Sequence, residues 1–536
     1  MASLAYVKLE VGGIQAFICQ TGKLKEMIGG SEMINALAGS FYEKIRQQLS
    51  LNPVIAPQAG EDWIIEIQNN AGTLCLILPS ADTARTFLRT FSMEALRQFP
   101  GLPLYGAHTP VSWTRESLSQ ARVTASNAIN HQRARRPVAS GMPMLPVAQA
   151  ARLDGLPAVA RDGEERISLL SWARRSPTLL RQSRERLQSL AARAFHDTDL
   201  PDVELLWKED LAEMLGSEKQ RVALVHMDGN DLGKRFAEEF RAIENDSPEE
   251  GMTRMRKLSA IIQKANEEAF AAALRGILVH ELRQKKIPSQ LVVPLRPLVM
   301  GGDDITVIVR ADLCLAFVQL FARAFEEVTR KAGSPLSLGA GLVIMPASYP
   351  FVKAFALVDA LLESAKHATL SLSPRPSSLD YLVLTSDVET DLSVLRRRTM
   401  TSQDGASLTT KPLILEGDTL GRFLNNGRDV LTLLPRSAIR SALNTCRTGV
   451  HRAHRDWSKL RENIHRGLGG RRDQKLMGLA RFEEIFPGNF FVEEKGMRRT
   501  ALGDYLELAR VLPEQPEARR DMLEYLLDKT RGGTHV

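Results

Sequence analysis

No run of 18 or more apolar residues occurs in the 536-residue chain, which excludes an ordinary membrane-spanning helix. The opening residues, Met1-Ala2-Ser3-Leu4-Ala5-Tyr6, lack a basic region followed by an apolar stretch, so no signal peptide is expected. Cysteine is scarce. Cys19, Cys75, Cys314 and Cys446 lie far apart and form no CxxC pair, which argues against a disulfide framework or a zinc site and for a reducing, cytoplasmic location. Charge imbalance is also slight: a net +7 suggests polyanionic partners without requiring them. What is present is an ordinary globular composition, 44% apolar, and enough length for two to four domains.

The densest chemistry lies in Leu298-Val299-Met300-Gly301-Gly302-Asp303-Asp304-Ile305-Thr306-Val307-Ile308-Val309. An apolar strand, a tight turn and a β-branched strand predict a hairpin. Gly301 and Gly302 permit a sharp reversal and close approach of the backbone to a ligand. Asp303 and Asp304 then sit at its mouth, and burying both ionised costs several kcal/mol unless something cancels the charge. A divalent cation carrying a nucleotide triphosphate does so, since hard oxygens suit Mg²⁺. Taken alone, the motif also fits a solvated turn.

Arg221-Val222-Ala223-Leu224-Val225-His226-Met227-Asp228-Gly229-Asn230-Asp231-Leu232-Gly233-Lys234 reads as a strand ending at Asp228, a glycine-rich turn and a helix start. Backbone N–H groups at such a turn cradle phosphates, which makes Gly229, Asn230, Gly233 and Lys234 nucleotide-binding candidates. Asp231 is expected to cap the helix beginning near Leu232. Paired with the hairpin at a strand spacing of about 4.8 Å, this strand brings Asp228 to face Asp303 and Asp304. Two metals about 3.5–4 Å apart then clamp the attacking and leaving oxygens of a phosphoryl transfer. A small-residue strand, Leu336-Ser337-Leu338-Gly339-Ala340-Gly341-Leu342, precedes an amphipathic helix ending at Lys366. That lysine can reach a triphosphate, or is an ordinary last-turn lysine. The order β–α–hairpin–α–β is the ferredoxin-like arrangement.

These elements, Asp228-Gly229-Asn230, Gly301-Gly302-Asp303-Asp304, Gly339-Ala340-Gly341 and Ala365-Lys366, resemble the palm of the large subunit of type III CRISPR effector complexes, the cyclic oligoadenylate synthetase. That palm is a cousin of GGDEF nucleotide cyclases and polymerases. Ser377-Ser378-Leu379-Asp380-Tyr381 is similar to the family's stretch just after this palm.

The N-terminal part predicts a strand at Tyr6–Glu10, a helix over Lys23–Met33, a hairpin of Trp63–Ile67 and Thr73–Leu78 turning at Gln68–Gly72, and a strand near Leu104–Ala107. This reads as a degenerate repeat of the later unit. Val11 falls where Asp228 falls, and Ala71 and Gly72 fall near Asp303 and Asp304. The spacings are similar: 60 residues from Val11 to Ala71 against 75 from Asp228 to Asp303. Without acids this copy cannot hold metals, so it is expected to close over a nucleotide. Gly12-Gly13-Ile14-Gln15, Lys23-Leu24-Lys25-Glu26 and Gly29-Gly30-Ser31 look like the family's first palm. The resemblance implies that the two palms face each other with two nucleotides between them.

The fold class expected is α+β: a degenerate palm at 1–130, a helical connector at 131–220, the GGDD palm at 221–385, and a helical, basic domain at 386–536. Within the connector, Asp154-Gly155-Leu156-Pro157-Ala158 is similar to the end of the family's Cys-rich zinc insert, but the cysteines are missing and zinc is not carried over. His196-Asp197 is similar to the family's HD nuclease motif but has no further His/Asp ligand pattern around it. It reads as a helix-end or loop pair, and no HD nuclease is expected. Residues 238–294 are mostly helical by periodicity. From Arg436 to Arg472, nine Arg and one Lys stand against Asp456 and Glu462, a balance of +8. Solvated helix faces account for such a run. Guide or target RNA, or other effector-complex subunits, are the partners it otherwise fits.

The expected function is metal-dependent nucleotidyl transfer from ATP to cyclic oligonucleotides, with oligoadenylate implied by the resemblance. Asp228, Asp303 and Asp304 hold Mg²⁺ or Mn²⁺, two ions in all, with Asp303 and Asp304 the catalytic pair. Gly301, Gly302 and Lys366 complete the nucleotide site. Two alternatives stand: a nucleotide-binding but non-catalytic scaffold of an RNA-guided complex, and a stand-alone GGDEF-like dinucleotide cyclase.

Overall fold

A computed structural model of the chain describes residues 4–70, 72–135, 149–195, 203–216, 221–241, 247–284, 289–302, 304–384, 390–417, 419–434, 436–467, 472–487, 489–494 and 496–511. His196, Asp197 and the proline-bearing stretch around Pro143 lie outside the described residues.

The N-terminal unit runs β1 (Leu4–Val11), α1 (Ile14–Cys19), α2 (Leu24–Ala38), α3 (Ser40–Gln48), β2 (Asn52–Pro53), β3 (Trp63–Asn70), β4 (Thr73–Leu78), α4 (Ala81–Gln98), β5 (Leu104–Val111) and α5 (Arg115–Arg135). Its sheet order is β2-β3-β4-β1-β5. Without the edge strand β2 this is the ferredoxin-like order, with antiparallel ladders between β3 and β4, β4 and β1, and β1 and β5. The hairpin is tighter than its sequence suggests. β3 continues to Asn70, which pairs with Thr73, so the reversal takes two residues, as favoured hairpins do.

A connecting region follows: β6 (Ala158–Asp162), β7 (Glu165–Ser168), α6 (Leu169–Arg174), α7 (Pro177–Ala194), β8 (Glu204–Leu206) and α8 (Leu211–Leu215). It is not purely helical, since β6 and β7 form a hairpin. Helix α5 also runs through the boundary drawn at residue 130.

The second unit comprises β9 (Arg221–Gly229), α9 (Leu232–Arg241), α10 (Pro248–Gln284), β10 (Gln290–Val292), β11 (Leu295–Gly301), β12 (Asp304–Arg310), α11 (Cys314–Lys331), β13 (Leu338–Pro346), α12 (Phe351–Ala368) and β14 (Ser378–Val383). Beyond it come α13 (Leu392–Thr399), β15 (Leu413–Ile414), α14 (Thr419–Leu433), α15 (Arg436–Arg447), α16 (Val450–Gly467), α17 (Arg472–Ile485), β16 (Val492–Glu494), β17 (Met497–Arg499) and α18 (Leu502–Val511). The main sheet has the order β11-β12-β9-β13-β14-β15. Its first four strands repeat the ferredoxin-like order of the first sheet, and β14, parallel to β13, with β15 extends it past residue 385. The α+β class with two such units and helical regions is therefore what the chain adopts.

Alternation along β9 divides the second unit into two layers. Ala223, Val225 and Met227 face α10 and α11, among Phe270, Leu274, Phe317 and Phe321. Val222 and Leu224 face α12, and their cluster continues into Phe17, Met27 and Ile28 of the first unit. The two ferredoxin-like units thus share one apolar layer. Ser31 of α2 donates to the carbonyl of Leu298 on β11 across the same junction.

The close fit of α12 on β13 explains the small residues of that strand. A Cβ built on Gly341 would lie 2.2 Å from the Val358 carbonyl oxygen and 2.7 Å from the Leu362 nitrogen. Backbone cannot yield as a side-chain tip can. Gly341→Ala is expected to lift α12 and to cost about 1–3 kcal/mol, read as a lowered melting temperature; an unchanged melt would show that the helix has room to move.

Candidate active site

The open end of the second sheet collects the charged groups. Asp228 near the end of β9 and Asp304 at the start of β12 are direct cross-strand partners. Their side chains share a face, with Cβ atoms about 5 Å apart. Gly301 pairs with Asp304, so the turn between them is two residues, and Gly302 takes a positive φ of 61° that a side chain would strain. Asp303 lies outside the described residues. Among those that are described, no group of three His, Cys, Asp or Glu side chains is arranged to hold a metal.

Each carboxylate meets a donor of the protein. The Lys366 ammonium, in the last turn of α12, contacts Asp228 Oδ2 and lies 3.3 Å from the Gly229 carbonyl oxygen. It reaches there because β13 has glycine at 339: a Cβ at that position would lie 2.6 Å from Lys366 Cγ. His226 Nε2 stands 2.9 Å from Asp304 Oδ1, and its Nδ1 stands 3.1 Å from Asp359 Oδ1 on α12. Burial alone would lower the imidazole pKa, but the adjacent Asp304 and Asp359 carboxylates raise it to about 10. From the first unit, Gln15 Nε2 donates to Asp304 Oδ2 at 2.7 Å. The two hairpin tips also approach: a Cβ on Gly302 would lie 3.6 Å from Asn70 Nδ2.

The turn after β9 is organised differently from its sequence reading. Asn230 is buried and turned inward, its Nδ2 donating to Ser337 Oγ at 2.9 Å and its backbone N–H to the Ser337 carbonyl at 2.8 Å. Its side chain braces the turn rather than facing the cleft. Asp231 caps α9 through its backbone, accepting from Arg235 N at 2.9 Å, and takes a positive φ of 55°. Its carboxylate turns to Arg375 at 2.8 Å and Lys234 at 3.0 Å. The Arg375 hydrogen bond, ahead of Lys234, holds that carboxyl below its usual range. Lys234 is therefore an exposed partner of Asp231 here, while Gly233 faces open space.

The donor type, though not a full set of ligands among the described residues, is the one a hard divalent cation takes. Asp228 and Asp304 present hard oxygens from adjacent strands, and an ammonium already binds between the Asp228 carboxylate and the Gly229 carbonyl.

Sequence reasoning missed Gln15, His226, Asp359 and Arg375 as members of the site. His226 was detectable, since a residue two before a site aspartate on one strand shares its face. Gln15, Asp359 and Arg375 arrive through tertiary packing, and period alone carries no signal for them.

The first unit has a degenerate counterpart. Thr73, the residue after its hairpin turn, pairs with Glu10, as Asp304 pairs with Asp228. Glu10, and not Val11, therefore occupies the place of Asp228; the one-residue offset is a register difference. The copy does carry an acid there, but Lys8 at 2.9 Å and Arg133 at 2.5 Å both hold it. Arg133 descends from the end of α5 as Lys366 does from the end of α12.

Fold and site together define a paired-palm protein with an acidic hairpin site in its second palm. Residues 221–370 match the family described as Cas10/Cmr2, second palm domain, which bears out the resemblance for this palm. Among solved structures, the Csm1–Csm4 cassette in complex with cA3 matches with a TM-score of 0.51 at 14% identity, covering 98% of this chain and 69% of that one. The cassette with AMPPNP matches with a TM-score of 0.41 at 16% identity, over 68% and 53% of the two chains. Csm1 of T. onnurineus gives 0.39 at 17% identity, over 68% and 52%. The chain thus spans about half the length of several solved chains that it resembles, 53% in the AMPPNP cassette. Among curated proteins no sequence relative matches.

Proposed function

We propose that the protein is a metal-dependent nucleotidyltransferase that makes cyclic oligonucleotides from ATP, as the large subunit of a type III CRISPR effector complex. The observation carrying this reading is the apposition of Asp228 and Asp304 across one ladder, with the Lys366 ammonium on Asp228. Asp228 and Asp304, with Asp303 beside them in sequence, would hold Mg²⁺ or Mn²⁺. When bound, such ions lower the pKa of a ribose hydroxyl and polarise the α-phosphate of ATP. Lys366, whose ammonium lies on Asp228, would supply positive charge to the triphosphate. Backbone N–H groups between Gly229 and Gly233, at the N-terminus of α9, favour the phosphates. Gly301 and Gly302 leave room for the acceptor nucleotide, whose hydroxyl attacks in line as pyrophosphate leaves.

The first palm closes over the nucleotide from the other side: Gln15 already reaches Asp304. Glu10, neutralised by Lys8 and Arg133, leaves that palm without a second metal site. Polyanionic or acidic partners fit the exposed face of α15 and α16, where Arg440, Arg452, Arg455 and Lys459 lie outward. A cytoplasmic location suits these partners, and no helix among the described residues is long and apolar enough to cross a membrane. No nuclease role is assigned to His196 and Asp197.

One observation favours the non-catalytic scaffold instead: Lys366 and Gln15 occupy Asp228 Oδ2 and Asp304 Oδ2, oxygens a cation would need. Incubation of the purified chain with ATP and Mn²⁺, followed by mass spectrometry, separates the two. Cyclic products are expected; nucleotide retained unchanged would favour the scaffold. In the same assay Lys366→Ala is expected to lose about tenfold or more in kcat/KM for ATP, mostly through KM, for want of one charge-assisted contact. Unaltered kinetics would remove Lys366 from the triphosphate site.

A further inference from the structure

The Asp304 carboxylate has a support that its own strand does not provide. His226 lies two residues before Asp228 on β9, so its side chain is on the same face. Its Cα is opposite Thr306, not Asp304, and it reaches Asp304 Oδ1 diagonally, at 2.9 Å from Nε2. His226 is 6% exposed, and its ring packs edge-on to Phe355, with centroids 6.2 Å apart. It cannot swing into the cleft without unpacking that contact. The opposite nitrogen, Nδ1, is 3.1 Å from Asp359 on α12. The result is a line, Asp359–His226–Asp304, running from the half-exposed surface of α12 through a buried ring to one oxygen of the acidic pair.

We propose that His226 is the positioning residue of the acidic site and that Asp359 is its outer anchor. His226 pairs its charge with Oδ1 of Asp304 at 2.9 Å and so biases the orientation of the carboxylate, leaving Oδ2, now held by Gln15, as the oxygen that meets an incoming cation. Asp359 fixes the rotation of the imidazole. Partners of this kind behind a ligating carboxylate set how much of its freedom has been removed before the cation arrives, and their loss weakens metal affinity 10- to 100-fold in order of magnitude. The inference rests on the cation-binding reading given under Proposed function.

The test uses the full chain without nucleotide, titrated with Mn²⁺ by calorimetry, with a thermal melt of each variant. Asp359→Ala replaces a half-exposed helical residue by a strong helix former and is expected to raise the Mn²⁺ dissociation constant about tenfold with an unchanged melt. His226→Phe keeps the ring and its packing on Phe355 but has no nitrogen, and is expected to lose at least as much affinity. His226→Gln retains a donor that can reach Asp304 Oδ1 and is expected to recover most of it. A purely structural histidine would move the melt and would not be rescued by Gln. Wild-type Mn²⁺ affinity in both His226→Phe and Asp359→Ala overturns the inference, as does a loss that tracks the melt with no rescue by Gln. A wild-type chain that binds no Mn²⁺ overturns the cation reading itself, and this inference with it.

Discussion

Asp228→Ala combined with Asp304→Ala is expected to lower nucleotide turnover by about 1000-fold or more, on the scale that loss of preorganised transition-state electrostatics produces. The two residues are cross-strand partners at the open end of the sheet, and their side chains are about 30% exposed, at 30% and 28%. They do not support the core. Both carboxylates are partly exposed; without them Lys366 can turn to solvent, and the buried His226 loses one carboxylate partner but keeps Asp359. The double variant should therefore stay folded, its melt lowered at most by the loss of the His226–Asp304 contact, while turnover falls on the scale given above. The equivalent change at Asp303 with Asp304, the pair named by the motif, is expected to behave alike. Turnover at the wild-type rate in either variant would place the chemistry elsewhere.

Lys411→Met is expected to cause the largest loss of stability. Lys411 is buried between β14 and α18: its ammonium donates to Glu507 at 2.5 Å and to the Tyr381 carbonyl at 2.7 Å, and lies 3.9 Å from the centre of the Tyr381 ring. Asp504 stands 3.6 Å away and itself accepts from Thr409 Oγ1 at 2.6 Å and Thr410 N at 2.7 Å. Removing the cation leaves a buried carboxylate without compensation, a cost of about 3–5 kcal/mol. The expected consequence is detachment of α18 from the second sheet, read by denaturant unfolding and by protease cleavage after residue 390.

The pH dependence has a definite sign. Burial already raises the Glu507 pKa, with Lys411 pulling it back. Without Lys411 it rises further, so the folded variant binds a proton more readily than the unfolded chain. Stability of the variant is then lost as pH climbs from the unfolded carboxyl value toward the folded one, and partly recovered on acidification. Lys411→Met with Glu507→Gln should recover part of the loss at neutral pH. A pH-independent deficit would mean that Glu507 is not the group responsible.

Much of this arrangement is legible in the chain. The runs Arg221–Asp228 and Leu298–Val309 have the strand composition and the glycine turn needed to predict their pairing, and the ladder brings Asp228 to Asp304 as expected. The Ala356–Lys366 helix is present, longer at both ends, because Phe351 and Phe355 bury under the first unit as well. Register was less legible. Val11 and Glu10 differ by one position; matching by spacing selects Val11, whereas Lys8 and Glu10, alternating with buried Val7, Leu9 and Val11, form the face equivalent to His226 and Asp228.

Side-chain roles that depend on docking were the least legible. Asn230 points inward because Ser337, 107 residues away, offers the partners. Arg375 ties Asp231 to the end of α12 from a loop with no periodic pattern. Gln15 comes from a different unit altogether. Each is a long-range contact fixed by where α1 and α12 settle, and that depends on the Gly339 and Gly341 surface as much as on local sequence.

Asp228 and Asp304 are proposed to hold one divalent cation jointly. Crystals of the protein grown with Mn²⁺ and a non-hydrolysable ATP analogue test it most directly, through the anomalous signal of manganese. A peak between these two carboxylates is expected, with Lys366 moved from Asp228 onto the triphosphate. A peak at any other position, or Lys366 still on Asp228 with nucleotide bound, would contradict it.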